Sequence, residues 1–214
     1  HASNWKDYAV PIEMLDVQDY MASRHLHDAA IIGTSRGGLI AMVLAAVQPS
    51  LIGPVVLNDV GPIIAPEGLA RISGYVGSTP TPRNWDDAAR HLAQASAQHF
   101  PAVSQDEWMA VAKQLYDEKD GRPSRGYDQN LARTLSVTDG AIPELWPQFM
   151  ALKRKPCLVV RGSNSDLLSA QTVDKMIARH PNCKSYTVEG QGHAPLLRDE
   201  PSIDEIRSFL AATD

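Results

Sequence analysis

Apolar residues fall into two patterns along the chain. Short unbroken runs recur, "DAAIIG" at 28–33, "GPVVLND" at 53–59 and "PCLVVRG" at 156–162, and "CKSYTVEG" at 183–190 reads as a fourth strand. Runs without polar alternation predict strands buried on both faces, as in a parallel sheet. Between them apolar residues return at helical spacing. Met14, Val17 and Met21 follow Pro11, and proline suits a first helical turn. The run from Leu39 to Val47 is apolar nearly all round, which predicts a helix buried against the sheet and stopped before Pro49. Ser169 is placed to cap a helix over 171–180 that carries Val173, Met176 and Ile177 on one face and halts at Pro181. Ile203, Ile206, Phe209 and Leu210 form the stripe of a last helix.

This strand–helix alternation breaks between about Gly61 and Leu145. Trp85, Ala88, Ala89 and Leu92 predict one helix there, and the capping box Ser104/Glu107 leads into another through Trp108, Val111 and Leu115. No strand is expected in the stretch, and "GSTPTPRN" and "DGRPSRG" read as linkers. The prediction is therefore an α/β fold, a mostly parallel sheet flanked by helices, divided into a first core part (1–61), a helical cap (62–145) and a second core part (146–214).

Composition narrows the function more than the fold. The 214 residues, 43% hydrophobic and 21% charged, suffice for one sizeable core. A net charge of −5 offers no basic field, so neither nucleic acid nor an anionic membrane is an expected partner. Two cysteines, Cys157 and Cys183, make no disulfide framework; both read as buried small hydrophobes, and a reducing, cytoplasmic compartment is expected. No apolar run approaches the roughly 20 residues that span a bilayer, and "HASNWKDYAV" lacks the pattern of a secretory signal.

Chemistry enters at "AAIIGTSRGGLIAMVLAAVQP" (29–49), an apolar strand and an apolar helix joined through G-T-S-R-G. G-x-S-x-G between strand and helix is the nucleophile elbow, whose tight turn lifts a strained serine above the sheet edge. Ser35 is that serine, Gly33 and Gly37 are the neighbours expected to leave room for it, and the backbone N–H of Arg36 points where an oxyanion would form. A dinucleotide-binding G-x-G-x-x-G would need glycine where Ser35 stands. A serine nucleophile needs a base, and the base an orienting carboxylate. "SNSDLLS" places Asp166 just past one strand and "GQGHAPLL" places His193 just past the next, and parallel neighbours bring such loops to one edge.

In these segments, "IIGTSRGGLIA", "LNDVGP", "LVVRGSNSDLLS" and "GQGHAPLL", the chain resembles the α/β-hydrolase superfamily, in particular cap-bearing serine esterases. The resemblance implies a cofactor-free, metal-free hydrolase of a small ester or related acyl bond, with Ser35 as nucleophile, His193 as base and Asp166 as acid. Some members carry the acid after the strand that here ends in "VVLND", which makes Asp59 the competitor of Asp166. The cap would roof the pocket, with Tyr75, Trp85, Trp108 and Trp146 as lining candidates. Acyl transfer, carbon–carbon bond hydrolysis and cofactor-free haloperoxidation share the triad, and a non-catalytic ligand-binding protein on this fold is the rival from another class. The family's early strands and its early oxyanion loop have no counterpart before Ser35, so an N-terminal segment of the same protein that completes the sheet is expected.

Overall fold

The computed structural model describes residues 4–77, 81–135 and 143–213. After a 3-10 turn at Trp5–Tyr8, the first elements are α1 (Val10–Ser23), β1 (Ala29–Thr34), α2 (Arg36–Val47) and β2 (Ile52–Asn58). There follow α3 (Pro66–Tyr75), α4 (Trp85–Ser96), α5 (Gln105–Leu115), β3 (Tyr116–Lys119), β4 (Arg122–Arg125) and a second 3-10 turn at Gln129–Thr134. The last are α6 (Trp146–Ala151), β5 (Cys157–Gly162), α7 (Ala170–Arg179), β6 (Cys183–Val188) and α8 (Glu200–Ala211). None of these helices is long and apolar enough to cross a membrane.

The four predicted strands form one parallel sheet in the order β1-β2-β5-β6. Alternation along the strands sends side chains to two separate cores. Val55, Leu57, Cys157 and Val159 join Met42, Leu44 and Phe149 on one face, beneath α2 and α6. Val56, Leu158, Val160 and Val188 meet Ile206 of α8 on the other. Cys157 and Cys183 are register partners on β5 and β6, both buried and both free. Ser104 and Glu107 make the reciprocal capping box that their spacing predicts at the start of α5.

The segment between β2 and β5 holds a feature that the composition hides. "DGRPSRG" is not a linker: its first residues turn β3 back onto β4 in an antiparallel hairpin. Asp120 and Gly121 both have positive φ, 53° and 73°, the requirement of a two-residue type I′ turn and the reason Asp-Gly suits it. Part of the other predicted linker, "GSTPTPRN", and the end of the predicted insertion lie outside the described residues.

Candidate active site

Ser35 is the single residue between β1 and α2, and it takes φ 49° and ψ −114°, backbone values that residues with a Cβ seldom adopt. The turn closes because Gly33 has no side chain; a Cβ there would meet the Gly37 carbonyl at 2.7 Å and the Gly38 nitrogen at 2.6 Å. The space around Gly37 is open, whereas a side chain at Gly38 would run into Val60 and Leu57. The second glycine this turn requires is thus Gly38, which corrects the role expected of Gly37.

His193, in the loop after β6, reaches Ser35 as its position predicts: Nε2 lies 2.8 Å from Ser35 Oγ. Its Nδ1 lies 2.8 Å from Asp59 Oδ2. An ionised carboxylate only accepts, so Nδ1 carries the proton and Nε2 is left to accept from the serine hydroxyl. Asp59 follows directly on β2 with φ 55° and is completely buried. Its charge is balanced by donors: the Gly162 amide gives 2.9 Å to Oδ1, and the Ser165 hydroxyl gives 2.5 Å to Oδ2. The Leu167 and Leu168 amides in turn donate to Ser165 Oγ at 3.2 and 3.1 Å. Both lone pairs of that hydroxyl are used, so its proton is directed at Asp59.

Asp166, expected as the acid, does not meet His193; the carboxylate that does is its competitor Asp59. Asp166 faces α3, where Arg71 holds it through two hydrogen bonds, Nε at 2.6 Å and Nη2 at 2.8 Å. That hydrogen-bonded guanidinium keeps the Asp166 carboxyl below the usual range. His99 Nε2 stands 3.9 Å from the same carboxylate, its Nδ1 lies 3.2 Å from the Asn164 carbonyl, and Asn164 Nδ2 donates to the His99 carbonyl. Asp166 therefore ties the loop after β5 to the segment above it. Arg36, whose backbone opens α2, sends its side chain to Glu13 on α1 at 2.6 Å.

Above Ser35 and His193 lies a cavity of about 640 Å³. Tyr75 and Trp108 line it as predicted, with Ile72, Leu92, Phe100 and Leu196. Trp85 and Trp146 do not. Trp85 lies under the Lys113 ammonium, 3.5 Å from its ring centre, which joins α4 to α5. Trp146 stands edge-on to Phe149 and packs against the core. Both are aromatic residues at helical spacing used for packing. Among the described residues no cluster of three or more His, Cys, Asp or Glu side chains has the arrangement of a metal site.

Comparison with known proteins agrees with this architecture. The alpha/beta hydrolase family profile matches residues 2–204, and the chain belongs to that family. It is 33% identical over 204 residues to the 3-hydroxybutyrate-oligomer hydrolase of Cupriavidus necator, a match that covers 92% of this chain and 69% of that enzyme. It is 24% identical over 195 residues to the esterase YbfF of Escherichia coli, covering 86% and 67% of the two chains. The crystal structure of an alpha/beta hydrolase from Novosphingobium aromaticivorans superposes with a TM-score of 0.90 at 38% identity, over 99% of this chain and 75% of that one. The protein is an enzyme of the hydrolase class.

Proposed function

We propose that the enzyme cleaves carboxylic esters through Ser35, His193 and Asp59. In this reading Ser35 Oγ attacks the ester carbonyl as its proton passes to His193 Nε2. The backbone N–H of Arg36 donates to the oxyanion; at the first position of α2 it has no acceptor within the helix. Asp59 holds the Nδ1–H tautomer and stabilises the imidazolium. The carbon–oxygen bond of the leaving alcohol then breaks, and His193 returns the proton to that alcohol. A water molecule, deprotonated by the same imidazole, attacks the acyl-serine and releases the acid and free Ser35. The segment 62–145 acts as the cap, with α3, α4, α5 and the hairpin supplying most of the apolar wall.

The observation that carries this reading is the unbroken chain of two 2.8 Å contacts from Ser35 and His193, which line the cavity, to the fully buried Asp59 behind them. The relative from Cupriavidus necator makes short oligomers of 3-hydroxybutyrate the first substrates to try. In the full-length enzyme a fluorophosphonate should label one serine, and labelling should vanish in Ser35→Ala together with hydrolysis of p-nitrophenyl butyrate. Undiminished labelling or turnover in that variant would remove Ser35 from the mechanism.

A further inference from the structure

One buried side chain joins the turns that carry Ser35 and His193, and it has no part in the proton transfers. Asn58 ends β2, directly before Asp59, and is 1% exposed. In the parallel register it is paired with Thr34, the residue before Ser35, and its backbone carbonyl accepts the Ser35 amide at 2.9 Å. Both protons of its side-chain amide are engaged: Nδ2 donates to Thr34 Oγ1 at 3.1 Å and to the Pro195 carbonyl, two residues past His193, at 3.0 Å. A carbonyl only accepts, so the contact with Pro195 fixes which way the amide faces. That orientation leaves Asn58 Oδ1 buried without a hydrogen-bond partner among the described residues. An unpaired buried carbonyl opposes stability, whereas leucine would fill similar space with no polar atom to pair. Packing alone therefore does not favour asparagine at this position; its two donors do.

The histidine loop is braced within itself and against the loop after β5. The Leu196 amide donates to Gln191 Oε1 at 2.8 Å, across His193. The Asn164 amide gives 2.9 Å to the Gln191 carbonyl, and the Gly190 amide gives 2.8 Å to Ser163 Oγ. These bonds set where the loop stands relative to β5, and the Asn58 amide sets where it stands relative to the elbow. Little displacement can be tolerated there, because the 2.8 Å contact between Ser35 Oγ and His193 Nε2 is lost once either end moves by about 1 Å.

Resting on the assignment of Ser35 as nucleophile, we propose that Asn58 is a positioning residue: its amide clamps the residue before the nucleophile to the histidine loop and so sets the separation of Ser35 and His193. It acts through Thr34 and Pro195, not on the ester. The bond from the Ser35 amide to the Asn58 carbonyl belongs to the backbone and survives any side-chain change, so variants of Asn58 isolate the clamp. Thr34, which is exposed at the cavity, gives a second handle on the same clamp from its other end.

In the full-length enzyme Asn58→Leu should lower kcat for p-nitrophenyl butyrate by roughly 10- to 100-fold, the scale of a misplacement of about 1 Å. KM should stay within about threefold of wild type, because the walls that bind the ester are kept. Fluorophosphonate labelling of Ser35 should slow by a similar factor. Thr34→Val removes the acceptor at the elbow end without touching a buried side chain, and should lower kcat by roughly 3- to 10-fold, the scale of one neutral hydrogen bond. Thr34→Ser, which keeps the hydroxyl, should recover most of that loss. In the double variant the two losses should fall well short of multiplying, since both break one clamp. A kcat within about threefold of wild type in Asn58→Leu, a loss carried by KM alone, or losses that multiply in full overturns the clamp while leaving Ser35 catalysis standing. If circular dichroism shows Asn58→Leu unfolded, the Thr34 pair decides: a kcat in Thr34→Val equal to wild type, or a loss that Thr34→Ser does not recover, overturns the clamp. A wild type whose Ser35 neither takes a fluorophosphonate nor hydrolyses any ester overturns both readings.

Discussion

Asp59 and Asp166 each follow a parallel strand, and their surroundings divide their work. Asp59 is sealed from water and takes donors from Gly162, Ser165 and His193; Asp166 is partly open and takes its donors from Arg71. Asp59→Asn should therefore lower turnover by roughly 10⁴, because the amide no longer fixes the Nδ1–H tautomer. Asp166→Asn should leave kcat within a few-fold of wild type but lower stability by about 1–3 kcal/mol, since Arg71 loses a bidentate charged partner. Both variants can be read by ester turnover and thermal unfolding; a severe kcat loss in Asp166→Asn with a mild one in Asp59→Asn would return the acid to the loop after β5. Ser35 and His193 were legible in the sequence because spacing alone sets a serine between two glycines and a histidine past a strand. The choice of acid was not. It depends on where Arg71 and Ser165 stand in space, and neither announces its partner in one dimension. Ser165, one position before the aspartate expected to serve, is what joins that loop to the acid that meets the histidine.

At the scale of elements, β1, β2 and β5 were readable from unbroken apolar runs and α2, α7 and α8 from apolar faces, down to Ser169 at the start of α7, whereas α3 after β2 was not read. The hairpin was not, because its strands are short and polar and its proline sits on β4, so only the Asp-Gly turn marks it. The junction between α7 and β6 carries a pH dependence of its own. His180 is almost wholly buried there and lies against Phe149, ring centres 5.4 Å apart. Its Nε2 contacts the Leu152 carbonyl at 3.0 Å and its Nδ1 accepts from the Asn182 amide at 3.2 Å, so the ring is neutral with its proton on Nε2. Burial lowers its pKa below 6.5. Between that lowered value and 6.5 the unfolded chain binds the additional proton, so stability is fully present above pH of about 6.5 and falls as pH drops through the folded value. The wild-type Tm should decline more steeply from pH 7 to pH 5 than that of His180→Gln, with about 2–4 °C of extra loss per kcal/mol. Parallel Tm profiles for the two proteins would remove His180 as the cause.

For the molecule as a whole, the outer strand poses a question that the active site does not. Among the described residues β1, the strand that delivers Ser35, pairs with β2 alone and stands at the end of the sheet order. Ile31 turns into the core beneath α2, but Ile32, its neighbour on the opposite face, is 51% exposed. The helix α8 covers that face over Val56, Leu158 and Val160. A short apolar edge strand without charge or proline is a template for pairing with another chain. The 214-residue polypeptide prepared by itself should then self-associate in a concentration-dependent way, measured by sedimentation. Ile32→Lys, which sets a charge on the edge strand, should shift it toward monomer with β2, β5 and β6 unaltered. If the wild-type polypeptide instead sediments as a monomer at tens of micromolar and the lysine changes nothing, β1 is protected from pairing by its own length and twist.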